Sequence, residues 1–166
     1  GLAELRVPAG KVVQLPFSAL PSGRFFALQI DANEPIIASV FSSVKGSLTD
    51  FAWSSGSEAI NAQNIEAITV PAIGMNLNVY TEDSSVVVET TSNQKKVSRK
   101  NLSAIDTWKI PANVISIRII PGAKPVYASF SVLDSRGVSV MAIRPVTAIE
   151  RSALPISDSE VLTPRK

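Results

Sequence analysis

The sequence predicts an all-β protein of antiparallel strands packed as a β-sandwich, either one sandwich or two abutting sandwich-like repeats. Three observations carry this. Short β-branched and aromatic runs recur between clusters of Pro, Gly, Asn and Ser. Their starts lie about 8 to 12 residues apart, the spacing of sandwich strands. No stretch sustains apolar residues at helical spacing. Apolar residues make up 45% of the 166 residues and charged residues 18%, which is enough apolar surface to offset the entropy of ordering a chain of this length.

Taken in order, residues 11–15 are the first candidate strand. RFFALQI (24–30) and PIIASVF (35–41) flank Asp31, Ala32, Asn33 and Glu34 and read as the clearest hairpin. Phe26, Leu28 and Ile30 alternate with Phe25, Ala27 and Gln29, which puts a strongly apolar face toward a second sheet. Further strands are expected at 49–54, 65–70, 76–81, 85–90, 114–120, 125–133 and 138–144. Residues 77–92 read as strand, acidic turn, strand. The interior is expected to draw on Phe26, Leu28, Ile30, Ile37, Val40, Ile117, Ile119, Val126 and Phe130.

A degenerate repeat appears when the segment beginning LPSG is laid on the one beginning IPAN at a constant offset of about ninety residues. Pro21, Ile30, Pro35, Ala38, Ser39 and Ala52 then meet Pro111, Ile120, Pro125, Ala128, Ser129 and Ala142. The two stretches are expected to follow one backbone path, with Ala38 and Ala128 in equivalent close-packed sites. This divides the chain into a first β repeat over 1–55, a second over 56–147 and an extended C-terminal segment over 148–166. The first unit lacks a counterpart to residues 56–90, so the chain is expected to be an excised piece of a longer protein.

Composition removes several chemistries. Without Cys or His there are no disulfides, thiol nucleophiles, Cys- or His-ligated metal sites or Ser-His-Asp machinery. A formal net charge of +2 gives no field that implies nucleic acid. No run approaches the ~20 apolar residues of a membrane-spanning helix, so no transmembrane segment is expected. No catalytic residue, cofactor or metal is assigned.

The candidate contacts for a ligand or polyanion are Lys95, Lys96, Arg99 and Lys100, which form the one dense basic cluster, together with Trp108. Ser92 and Lys95 have S-x-x-K spacing, but no KTG or SDN element accompanies them, and the segment reads as a polar loop. Glu82, Asp83 and Ser84, like residues 31–34, offer oxygen ligands without the spacing of a calcium loop, and turns favour these residues for backbone reasons. In the repeat, Trp53 aligns with Ile143 and is expected in the core; Trp108 aligns with Ser18 near a turn and is the exposed-aromatic candidate.

The phrases VPAGKVVQLPFSALPSG, EPIIASV, DFAW, KPVYASFSV and RGVSVMAIRPV resemble a family of actinobacterial exported or membrane-anchored proteins containing a β-rich domain of unknown function. The resemblance covers residues 7–146 and rests on strand and turn phrases: Val7 to Gly10, Pro35 to Ala38 and Asp50 to Trp53. It implies an extracytoplasmic module on the outer face of the cell membrane, and brings no catalytic residues. The expected function is thus non-catalytic, in cell-envelope assembly or protein interaction, with an envelope protein as partner. The alternative is a carbohydrate- or anionic-polymer-binding module whose partner is a cell-wall polymer.

Overall fold

The computed structural model describes residues 4–16, 26–45, 49–62, 67–134 and 137–145. The protein is all-β, with antiparallel strands forming one curled half-barrel sheet and one small sheet. The strands are β1 (Ser39–Lys45), β2 (Thr49–Ser55), β3 (Ile68–Thr69), β4 (Asn76–Ser92), β5 (Val97–Lys109), β6 (Val114–Ile120), β7 (Val126–Asp134) and β8 (Gly137–Ala142). The first two form the small sheet and the other six the large one. The expected C-terminal segment, 148–166, lies outside the described residues.

Strand β4 is the spine of the large sheet. One edge carries β5 along most of its length, while the other carries β7 over residues 76–81 and β6 over residues 87–92. Strand β3 extends the sheet beyond β6, and β8 extends it beyond β7. Residues 76–92 are therefore one strand, and the expected acidic turn within them is a bend. Tyr80 lies opposite Ile105 and Ser85 opposite Ser103, so four β4 residues, 81 to 84, face the single β5 residue 104. The surplus is three, and because side chains alternate with period two, an odd surplus exchanges the faces. The buried positions accordingly run Leu77, Val79, Thr81 and then Val86, Val88, Thr90, Ser92.

The bend sits where the β6–β7 connection crosses. Thr81 Oγ1 donates to the Pro125 carbonyl at 3.0 Å and accepts the Asp83 N–H at 3.2 Å. Asp83 Oδ2 accepts the Lys124 N–H at 2.8 Å. Turn-type residues are needed here because a connection must be held, and not because the chain reverses.

Leu77, Val86, Val88, Ile117, Ile119, Val126 and Phe130 are essentially inaccessible and form the centre of the core. Ile60 joins them through a two-bond bridge with Val126, of 2.8 and 3.0 Å. The second half of the expected interior is thus in place, since Ile117, Ile119, Val126 and Phe130 are all buried. The first half is not. Phe26, Leu28, Ile30 and Ile37 are exposed, and Val40 is half-buried. Residues 26–38 form no strand, and neither do residues 11–15. Alternation prepares a face for burial, but a strand also needs a neighbour for its backbone.

Over their described residues the two stretches of the repeat take different paths. Phe26 to Ile30 is not a strand, whereas its counterpart lies in β6. Ser39 pairs with Ser55, but Ser129 pairs with Ala142 instead of the residue ninety positions beyond Ser55. The hairpins are offset in register by three, which again exchanges faces. Ala128 is buried and Ala38 exposed.

The small sheet lies against β8. Val40, Ser42, Asp50, Ala52 and Ser54 are half-buried on one face. Asp50 Oδ2 on that face accepts the Val138 N–H at 3.0 Å, and Oδ1 accepts the Phe51 N–H at 2.9 Å. Oδ2 thus ties β2 to β8, while the bond to Oδ1 is local to β2.

Candidate functional site

The basic cluster does not act as one patch. Lys95 and Lys96 lie in the tight turn between β4 and β5, where Lys95 has φ of 60°. The turn is closed by Lys95 N–H to the Ser92 carbonyl (2.8 Å), Ser92 N–H to the Lys96 carbonyl (2.9 Å) and Lys96 N–H to Ser92 Oγ (3.2 Å). Ser92 is buried and its hydroxyl oxygen accepts a backbone donor, so the S-x-x-K spacing here closes a hairpin.

Beyond the turn, strand alternation sends Arg99 and Lys100 to opposite faces. Arg99 Nε meets Glu89 Oε2 at 3.0 Å, and Arg118 reaches Glu89 Oε1 at 3.6 Å, forming a three-strand ladder across β5, β4 and β6. Lys100 lies on the other face with its Nζ 5.8 Å from the centre of the Trp108 ring. Eight residues of flat strand would separate these positions by roughly 26 Å, so their contact reports how sharply β5 curls. Trp108 itself is half-buried and packs against the core. Of the five candidates, then, Lys100 and Trp108 are brought together, Arg99 is committed to Glu89, and Lys95 and Lys96 stand at a hairpin tip.

The two tryptophans exchange their expected roles. Trp53, expected in the core, is 62% exposed on the small sheet. Its ring lies 5.0 Å from that of Phe41, which lies 5.8 Å from that of Phe51. Phe41 and Phe51 are also exposed. Phe41 is paired with Trp53 across the strands, and Phe51 lies on the diagonal, so the three rings share one face. The sequence contains this signal as D-F-A-W-S, in which small and polar residues alternate with two aromatics. It does not reveal which face meets the main sheet. Asp50 settles that, because its hydrogen bond to Val138 turns the small residues inward and the aromatics out.

The oxygen-rich turns do not converge on a cation. Asp83 is occupied with the Lys124 N–H, and exposed Glu82 lies 3.8 Å from Lys124 Nζ. Among the described residues no three His, Cys, Asp or Glu gather where a metal could be held, and no buried side-chain polar atom lacks a partner. Asp50, Val132, Asp134, Gly137, Val138 and Ser139 line a shallow open depression of about 310 Å³ where the two sheets meet. No helix among the described residues is long and apolar enough to cross a membrane. Compared with protein-family models, with curated proteins and with solved structures, the chain finds no match in any of the three.

Proposed function

We propose that this protein is a non-catalytic interaction module that works outside the cytoplasm in cell-envelope assembly, with the exposed face of the small sheet as its contact surface. The observation that carries the reading is the cluster of Phe41, Phe51 and Trp53. A β-hairpin that packs on a sheet normally turns its large apolar side chains inward, and this one turns them out. Contiguous exposed aromatics of this kind are the residues that dominate protein interfaces. The extracytoplasmic placement rests on the resemblance to exported actinobacterial proteins. The test is affinity capture from an envelope extract with the native chain and with Trp53→Ser. A partner retained by the native chain and lost from the variant is expected; equal recovery, or none, refutes the reading.

A second reading, binding of a carbohydrate or anionic polymer, is favoured by the Lys100–Trp108 pair. It requires saturable, salt-sensitive quenching of tryptophan fluorescence by a teichoic-acid-like polymer, and a flat titration at low salt removes it.

A further inference from the structure

Among the described residues β5 is paired along one edge, with β4. Just before β5 the Lys96 carbonyl accepts the Ser92 N–H, and just after it the Ile110 N–H donates to the Met75 carbonyl, both at 2.9 Å. Even-numbered residues thus turn their backbone groups toward β4. Directions alternate along an antiparallel ladder, so the odd-numbered residues from Val97 to Lys109 point their N–H and C=O groups away from β4, along the open edge. The two halves of that edge differ. The Asp106 carboxylate accepts the outward N–H of Ser103 at 3.1 Å and that of Thr107 at 2.8 Å, which closes the edge on either side of Ile105. Residues 97–101 are all exposed, and among the described residues no side chain accepts the N–H of Val97, Arg99 or Asn101. The open half is also where positive charge gathers. Residues 89–105 contain Lys95, Lys96, Arg99 and Lys100 against Glu89 alone, a net of three positive charges in a chain whose total is +2. The Glu89 carboxylate is shared by Arg99 and Arg118, so this ladder is itself left cationic, and the neighbour of Lys100 is the Trp108 ring.

We propose that the open edge of β5 at residues 97–101 binds an acidic extended segment of another protein, which adds to the large sheet as a further strand. This is a second contact surface, separate from the aromatic face of the small sheet and independent of it. Two observations select the occupant. A row of alternating N–H and C=O groups is answered in full by another strand's backbone, whereas a polyanion answers the donors and leaves the acceptors unpaired. The excess of positive charge along the same stretch repels a second copy of this edge and attracts carboxylates. Residues directly opposite one another share a face, and Arg99 and Lys100 lie on opposite faces. Two consecutive acidic residues in the added strand therefore meet Arg99 on one side of the sheet and Lys100 on the other. Asp106 sets the limit of the site: its carboxylate already holds the N–H groups of Ser103 and Thr107 and repels an acidic strand that runs further, so pairing ends at Asn101.

The test titrates the intact chain at low salt with the end-blocked peptide Thr-Val-Glu-Glu-Val-Thr, up to millimolar concentration, and follows backbone amide shifts and hydrogen exchange. Saturable shifts are expected at Val97, Arg99 and Asn101, with exchange slowed at those three amides and unchanged at Ser103 and Thr107. The counterpart with Lys-Lys in place of Glu-Glu should not bind. In either register one of two consecutive residues faces the edge, so N-methylation of both glutamates removes a donor to β5 and keeps both carboxylates. That analogue, and the unmodified peptide on Lys100→Glu, should each bind at least about tenfold more weakly, the equivalent of 1.4 kcal/mol. Trp53→Ser should bind the peptide as the native chain does. A flat titration overturns the proposal, as does equal binding of the N-methylated peptide. Polyphosphate that shifts the same three amides and slows their exchange as much as the peptide does makes the edge a polyanion site and overturns it too. Loss of peptide binding in Trp53→Ser moves the contact to the small sheet, with the same consequence.

Discussion

At single residues, the structure shows two glycines doing the same work and one lysine doing a glycine's. A Cβ at Gly122 would meet the Asp83 carboxylate and one at Gly137 the Asp50 carboxylate. In each case the aspartate lies against the glycine and accepts a nearby N–H, that of Lys124 or Val138. Lys95, by contrast, holds φ of 60° without being glycine. A left-handed conformation costs an L-residue ~1–2 kcal/mol, whereas glycine's greater freedom in the unfolded chain gives back only ~0.5–1 kcal/mol. Lys95→Gly should therefore stabilise the protein by about 0.5–1 kcal/mol, seen as a higher urea midpoint at unchanged m value. The two alanines of the repeat should separate just as clearly. Ala128 is 2% exposed, and Ala128→Leu should cost ~1–3 kcal/mol by overpacking. Exposed Ala38 should accept Leu within about 0.5 kcal/mol. Equal losses at the two positions would restore the equivalence that the fold denies.

At the level of elements, the bend in β4 decides whether one strand can serve two neighbours on the same edge. The Asp83 carboxylate fixes the connection that lets β6 and β7 both reach β4, so Asp83→Ala should cost about 0.5–1 kcal/mol by exchanging its hydrogen bond to the exposed Lys124 N–H for one to water. Asp83→Asn keeps an acceptor oxygen and should retain most of that stability; thermal unfolding of the two variants side by side checks it. The same element shows what was legible in the sequence. β2, β6, β7 and β8 could be located from their alternation, because each has paired neighbours and a covered face. β5 could not be, since V-S-R-K-N-L-S-A-I-D-T-W-K has the charge and polarity by which an edge strand avoids further pairing, and that composition also describes a loop. Residues 26–30 mislead the opposite way: their alternation is that of a strand, but none of the described residues pairs with them. For the candidate site, the basic cluster was visible as composition. Its division depended on which face each residue of β5 occupies. The exposure of Trp53 depended on Asp50 reaching Val138, a contact across 88 positions that no local pattern encodes.

Across the whole molecule, stability and the aromatic contact face are assigned to different stretches of chain. Every member of the main core cluster lies between Ile60 and Ile143, and the cluster excludes Val138, which is buried where β2 meets β8. The large sheet also contains every strand from β3 to β8. About ninety residues are enough for an independent core. A fragment spanning residues 56–145 should therefore fold by itself, with dispersed amide resonances and a single cooperative urea transition. Its losses relative to the intact chain are the cover over Val138 and the acceptor for the Val138 N–H. Together these should lower stability by about 1–3 kcal/mol. Within that fragment Phe130→Ala should cost ~3–5 kcal/mol, the same as in the intact chain, because the cavity it leaves is walled by residues present in both. In the intact chain Trp53→Ser should change stability by less than about 0.5 kcal/mol, as it removes a ring that covers no core. A fragment that is unfolded when isolated would show that the small sheet is part of the core, and that its aromatics stabilise the fold by a route this arrangement of burial does not contain.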